Sequence, residues 1–413
     1  MSQHTSEMPI CTGYLRSDGR KGIRNRLLVL YTVDCASLVA ERVVTALRRE
    51  GIDADLVGTR ICFDNQDMIR RLLAFCIHPN VGGVLVIGFG CEYIQASRIC
   101  TFAAESGRPA SWFLVQEHGG TRGSIAFGVH QGKTLWERMR RQEQATDFYP
   151  SDLCIAMECG GSDFTSGLTA NTLLGSVSDW LVAHGGSSVF EEPGEMLGLQ
   201  AYLHGRAADA SAAAQIDGLF DKIDSYSRES GMFHISPGNF RGGLSSIEEK
   251  SIGAVCKSGS APIQGVVKVA QRLPHSGLWI MDRLQDRHFG IGATVAADAG
   301  ALMNLITLGC QVCLLSTGRG HVVGTPIAPT IKLTGNSKTF AAMGDDLDFD
   351  AHELLFGKNR LPQLRDRFLN LLFAVCRGEQ TRAEQLGHYE YEMLPSFQDF
   401  AAAPSAGCRA ELT

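Results

Sequence analysis

The chain opens on a polar stretch and then settles into a regular alternation of apolar and amphipathic segments. Leu27–Val33 is an apolar run, and Ser37–Glu50 carries apolar residues at helical spacing. Asp53–Val57 is short and strand-like, Gln66–Phe75 reads as a helix, and Gly83–Ile87 is apolar throughout. Tyr93–Glu105 reads as a further helix and Trp112–Gln116 as a strand. Strands alternating with helices of this length predict βαβ units and a parallel sheet of Rossmann-like α/β type. The polar, charged stretch Arg138–Asp147, closed by Pro150, is the expected domain boundary.

A second, larger α/β region follows. Leu153–Met157, Ser188–Phe190, Gly277–Met281, Val312–Ser316 and Thr330–Leu333 are its expected strands. Thr172–His184, Ala207–Tyr226 and Leu361–Cys376 are its expected helices. The organisation expected is therefore residues 10–147 as the first domain, 150–385 as the second, and 386–413 as a tail whose last part, Ala401–Thr413, is frayed. In parallel sheets ligands lie at the carboxyl ends of the strands, which is where chemistry is expected.

Composition narrows the function classes. The chain has 413 residues, 44% hydrophobic and 20% charged, which is an ordinary globular balance. A net charge of −6 argues against a general nucleic-acid binder. No apolar run approaches the length of a membrane span, and the start has no signal-peptide core, so a cytoplasmic protein is expected. With 13 cysteines and no secretory start, reduced thiols are expected rather than a disulfide framework. Glycine, at 46 residues, clusters in polar strings between apolar runs, a pattern of loops that approach something closely. Walker A, H-E-x-x-H and G-x-S-x-G strings are absent, and Gly88-Phe89-Gly90 lacks the third glycine of a dinucleotide fingerprint. A nicotinamide-dependent oxidoreductase therefore has no sequence support.

Five strings carry candidate chemistry. In G-Y-L-R-S-D-G-R-K-G-I-R-N, Gly13 to Asn25, Arg16, Arg20, Lys21 and Arg24 are broken by glycines. Arginine forks suit carboxylates, so Arg20, Arg24 and Asn25 are candidates for binding an acidic substrate, with a solvated basic turn as the alternative. Cys35, Cys91 and Cys159 each close an expected strand. If those strands neighbour one another, three thiolates converge, and three thiolates can hold iron or an iron–sulfur cluster with an open Lewis-acid position. The alternative is three cysteines packed in a core. E-C-G-G-S-D-F-T-S-G-L-T-A-N, Glu158 to Asn171, follows a strand directly and offers Ser162 and Asp163.

The fourth string, Pro237 to Gly253, contains a helix start capped by Ser245 or Ser246, with Glu248 and Glu249 favourable in its first turn and Lys250 unexpected there. The fifth is S-T-G-R-G-H, Ser316 to His321, with a glycine-flanked Arg319 as a carboxylate clamp. Lys332 follows inside an apolar stretch, where a lysine needs a partner or a task. Asp345, Asp346, Asp348 and Asp350 match no calcium-loop spacing and read as a solvated acidic turn. Cys310 and Cys313 read as core residues.

Taken in order, these strings resemble the altronate/galactarate dehydratase family of sugar-acid hydro-lyases. The likeness runs from Gly13 to about Ala351 and includes H-P-N-V at His78–Val81, E-C-G-G-S-D, G-G-L-x-x-I-E-E-K-S and T-G-R-G. The family pattern also has cysteine at Cys35, Cys91 and Cys159. The resemblance implies iron-dependent (Fe2+ or an iron–sulfur cluster) or Mn2+-dependent loss of water from a sugar acid, giving a 2-keto-3-deoxy acid. It implies a small SAF-type domain, fused or separate; this chain reads as a stand-alone large subunit that would pair with a small one and form an oligomer. The sulfolactate sulfo-lyase large subunit is similar in layout, so sulfite is the alternative leaving group, and a non-catalytic sugar-acid-binding paralogue is a further alternative. Lys250, Lys332 and His321 are the candidate bases. Three strings depart from the family: E-P-G-E at Glu192–Glu195, with Gln200 shortly after in place of an acid, Met281-Asp282-Arg283-Leu284, and Asp350-Ala351-His352 where the family has N-A-G.

Overall fold

In the computed structural model of the chain, residues 8–230, 236–284, 297–357 and 361–395 are described. The expected tail segment Ala401–Thr413 lies outside them. Two compact units form: residues 12–147 with the segment from 391, and residues 148–390 with those up to 11. Among the described residues no helix is long and apolar enough to cross a membrane.

The N-terminal unit is built on β3 (Arg26–Tyr31), β4 (Ala54–Gly58), β5 (Val81–Gly88) and β6 (Ala110–Leu114), in the order β4-β3-β5-β6 and all parallel. Leu27, Val29, Tyr31, Leu85 and Ile87 pack with Val39, Val43 and Leu47 of helix Ser37–Arg49 and with Leu135 and Met139 of helix Gly120–Gln142. Leu28 and Leu30, which alternate with them, are buried just as fully. Burial on both faces explains why these strands read as continuous apolar runs.

A small sheet, in the order β2-β1-β7, escapes the sequence reading: β1 (Cys11–Leu15), β2 (Lys21–Gly22) and β7 (Ala145–Phe148). Its strands are short and polar, so they lack the apolar signal. The stretch Arg138–Asp147 ends the 23-residue helix Gly120–Gln142 and begins β7. Gly120, Gly123, Gly128 and Gly132 hide that helix from a propensity reading.

The C-terminal unit carries one seven-stranded sheet in the order β10-β11-β9-β8-β12-β13-β14, every pairing parallel. The strands are β8 (Cys154–Cys159), β9 (Ser187–Phe190), β10 (Ile263–Lys268), β11 (Gly277–Asp282), β12 (Val312–Thr317), β13 (Thr330–Thr334) and β14 (Phe349–Asp350). From β8 the chain builds outward through β9, then crosses to β12 on the other side. The order therefore reverses between β8 and β12, and the carboxyl ends of these two strands frame the crevice where such sheets bind ligands.

Candidate active site

The strings of the C-terminal unit meet at the carboxyl edge of this sheet. Glu158 and Cys159 end β8, Glu191 and Glu192 follow β9, Arg283 follows β11, and Arg319 and His321 follow β12. Cys159 is buried, and its Sγ lies 3.1 Å from Glu192 Oε2 and 4.0 Å from Glu195 Oε2. Among the described residues, these three form the group whose metal-capable atoms all lie within 4.8 Å of one another.

The turn Glu192–Glu195 owes its shape to Glu192, which adopts a left-handed backbone at φ 68°. Such a conformation costs a non-glycine residue about 1 kcal/mol or more and is found where surrounding contacts enforce it. Those contacts come from helix Ile247–Cys256, capped by Ser246, whose hydroxyl accepts the Glu249 N–H. Lys250 sits on this helix and Lys257 follows it; a spacing of seven puts both on one face. Lys250 Nζ is 2.8 Å from Glu195 Oε1, and Lys257 Nζ is 3.3 Å from Cys159 Sγ and bonded to Glu192. Beside them, Arg283 Nη1 pairs with Glu191 Oε1 at 2.8 Å.

Three buried carboxyls and the half-buried Glu195 thus face three cations, and their titrations separate accordingly. Burial pushes Glu158 well above the usual carboxyl range, and the charges of Glu192 and Glu191 add to it. Burial raises Glu191 too, against Arg283. For Glu192 burial is outweighed by the ammonium groups of Lys257 and Lys250, which hold it down at about 2. For Glu195 burial and the Glu192 charge prevail over the same lysines, and it titrates at about 7. Burial and Glu192 push the Cys159 thiol up to about 12. One oxygen each of Glu158 and Glu191 is buried without a hydrogen-bond partner.

A second pair stands on the same edge. His321 Nε2 is 2.7 Å from Asp298 Oδ2, while His321 Nδ1 accepts the Val323 N–H at 3.1 Å. That acceptance puts the proton of the neutral ring on Nε2, toward Asp298. Gly160 permits the approach: a Cβ there would lie 2.1 Å from Asp298 Oδ2 and 2.9 Å from His321 Cδ2.

The other expected residues take several positions. Asp163 is buried and organises its loop, accepting from Thr165 N, Thr165 Oγ1 and Ser166 Oγ on one oxygen and from Asn336 Nδ2 on the other. The Ser162 carbonyl accepts from Asn239 Nδ2, and Arg319, exposed, donates to the Gly238 carbonyl at 3.1 Å. Ser162, Asp163 and Lys250 line a cavity of about 440 Å³ that also includes Phe164, Leu168 and Ile252. Lys332 is fully buried on β13; its Nζ donates to the Val322 carbonyl and burial lowers its pKa. Its backbone N–H bonds Asp348, which also accepts from Arg382 N, so the acidic run is in part a structural clip rather than a solvated turn.

In the N-terminal unit Cys35 and Cys91 are exposed, each just beyond the carboxyl end of a strand, β3 and β5. The contacts of Cys159 with Glu192, Glu195 and Lys257 all fall within the C-terminal unit. The basic string lies at the opposite, amino-terminal edge of the N-terminal sheet. Arg20 Nη2 donates to the Ile77 carbonyl and pairs with Asp18, Arg24 Nη1 donates to the Ile23 carbonyl, and Asn25 Nδ2 donates to Glu143. Sequence reasoning missed Glu158, Glu191, Lys257 and Asp298 as site members, and it met Glu192 and Glu195 only as a departure from the family pattern. The doubled acid straight after an apolar strand and the seven-residue spacing of two lysines were the available signals.

Residues 150–397 match the C-terminal domain of D-galactarate/altronate dehydratase, and residues 13–140 match the second domain of D-galactarate dehydratase/altronate hydrolase. The chain belongs to the D-galactarate/altronate dehydratase family. It is 31% identical to an altronate dehydratase of Bacillus subtilis over 95% of this chain and 79% of the relative. It is 30% identical to that of Escherichia coli over 93% and 77%. With the (2R)-sulfolactate sulfo-lyase subunit beta of Chromohalobacter salexigens it shares 29% identity, over 94% of this chain and 97% of the relative. One thiol and two carboxylates are a donor set compatible with a divalent first-row metal ion, which would have to displace the ammonium groups of Lys250 and Lys257 from them.

Proposed function

We propose that the chain is a carbon–oxygen lyase that removes water from a sugar acid such as altronate or galactarate and yields a 2-keto-3-deoxy acid. The observation that carries this is the Cys159–Glu192–Glu195 group, two members buried and Glu195 half-buried, flanked by Lys250 and Lys257, at the switch-point edge of a sheet in a member of this family. Cys159, Glu192 and Glu195 would hold iron or manganese, and such an ion supplies a Lewis acid for the departing hydroxyl.

The chain's own groups account for the protons. Lys250 borders the cavity and lies 2.8 Å from Glu195, whose carboxyl titrates near neutrality. Once its ammonium proton has gone to solvent through the cavity, the neutral Lys250 amine can take the proton α to the substrate carboxylate. Breaking the β C–O bond then releases hydroxide, which needs one proton to leave as water. The His321–Asp298 pair is the second proton carrier on this edge. The resulting enol tautomerises to the keto acid. Arg319 is the clamp for the substrate carboxylate, and Lys332, bonded to a backbone carbonyl, is assigned to packing.

Two further points rest on particular observations. The near-complete coverage of a relative called a subunit beta supports a small companion subunit, and it keeps sulfite elimination from sulfolactate as the second reading. The test is anaerobic purification with metal analysis, followed by assays on altronate, galactarate and (2R)-sulfolactate, with and without the companion. A 2-keto-3-deoxy acid from a sugar acid is expected. Sulfite release, or sugar-acid binding without turnover by the metal-loaded protein, would reject the proposal.

A further inference from the structure

The N-terminal unit holds a separate polar cavity of about 320 Å³ at the amino-terminal edge of its sheet. Arg16, Ser17, Asn25, Arg108, Gln142 and Glu143 are among its walls. Arg108 is buried and Arg16 partly so. Arg16 donates to the carbonyls of Pro79 and Arg24 at 2.6 and 3.0 Å and to Asn25 Oδ1 at 2.9 Å. Arg108 donates to the carbonyls of Val81, Ile77 and His78 at 3.1, 2.8 and 3.2 Å and to Ser106 Oγ at 3.0 Å. Every one of these acceptors is neutral. Neither guanidinium has a carboxylate within ion-pair distance among the described residues, whereas buried charges in proteins are normally paired.

The hydrogen-bond count leaves capacity as well. Arg16 Nη1 and Nη2 and Arg108 Nη1 each make one bond, so each keeps an N–H beyond those already used. Burial holds Arg16 down to about 10 and Arg108 to about 9, and the charges of Arg16 and Arg20 add to the effect on Arg108. The one carboxylate in the wall, Glu143, is engaged with Asn25 Nδ2 at 3.1 Å. Two guanidinium groups with spare donors and one acid leave the cavity with an excess positive charge.

We propose that this cavity binds a small anion, a carboxylate or phosphate, through Arg16 and Arg108. The anion supplies the missing counter-charge and takes the unused N–H donors. The assignment does not depend on the proposed dehydration. The test is calorimetric titration of the full chain with inorganic phosphate and with malonate, against sodium chloride at matched ionic strength. Saturable binding of one anion is expected, and a tenfold preference decides between phosphate and carboxylate chemistry. Glu143→Gln removes the opposing charge and should tighten binding at least threefold. Gln142→Glu adds one and should weaken it at least threefold. Both positions are exposed, so fold is retained, which circular dichroism checks. No saturable heat with either anion, or an affinity unchanged within twofold by either substitution, overturns the proposal.

Discussion

The two units use the same kind of sheet and put their charges at opposite edges. At the amino-terminal edge of the N-terminal sheet, Arg16, Arg20 and Arg108 all reach the carbonyls of residues 77–79. At the carboxyl edge of the C-terminal sheet, Glu192, Glu195, Lys250, Lys257 and Cys159 bind one another. An arginine on a carbonyl fixes backbone and has no proton to exchange near neutrality. A lysine on a buried carboxyl can exchange one, and its neighbours decide where the proton sits. Charge density alone therefore does not mark a site of proton transfer; what the charge is bonded to does.

The largest test of this contrast is Lys257→Met. It leaves Glu192 and Cys159 buried without their cation, and removing one partner of a buried pair costs about 3–5 kcal/mol. Chemical denaturation of the metal-free protein should show a loss of that order. A loss under about 1 kcal/mol would mean that the cluster is not held by its own charges. The matching change in the other unit is Gly22→Ala. A Cβ there would lie 2.1 Å from the Pro79 carbonyl oxygen, against the segment the arginines hold. Forcing an atom into such a contact costs about 1–3 kcal/mol. Hydrogen exchange should show faster opening of residues 77–81 with protection of β8 and β9 unchanged.

The same contrast explains what could be read from the sequence. Leu27–Val33, Gly83–Ile87 and Val312–Ser316 were visible as strands because burial on both faces leaves apolar runs, observed at Arg26–Tyr31, Val81–Gly88 and Val312–Thr317. The strings at strand ends were visible because glycine beside polar residues is unusual. What the sequence hid was pairing across distance. Lys257 lies 65 residues from Glu192, and Asp298 lies 23 from His321. The basic string was visible as charge, but its acceptors are backbone carbonyls, which no composition reveals. Lys332 likewise stood out, and its partner, the Val322 carbonyl, did not.

A smaller effect sharpens the electrostatics within the C-terminal cluster. Glu192 is held at about 2, below its ordinary 4.5, so the folded chain binds that proton more weakly than the unfolded one. Its contribution to stability is present above pH 4.5 and lost as the pH falls toward 2. Glu195 is raised from 4.5 to about 7, so its contribution has the opposite sign. It is present below 4.5 and lost as the pH rises through 7. Melting temperatures of the metal-free protein from pH 3 to 8 should therefore fall at both ends. Glu192→Gln should flatten the acid limb and Glu195→Gln the neutral one; variants that flatten the reverse limbs would invert the assignment.

The smallest expected effect is the most discriminating between the units. The Cys91 loop is shaped by its neighbour: the N–H groups of Phe89, Gly90 and Cys91 all donate to the Glu92 carboxylate, itself bonded by Thr32 Oγ1. The thiol takes no part in that arrangement, so Cys91→Ala leaves the loop intact. If the metal is held by Cys159, Glu192 and Glu195, metal content after anaerobic loading should be unchanged in Cys91→Ala and abolished in Cys159→Ala. If Cys35, Cys91 and Cys159 hold it together, Cys91→Ala loses the ion as well, and a thiolate-to-iron absorption band weakens with it. The first outcome is expected here, because the three donors around Cys159 come from one sheet edge and are already held together by two lysines.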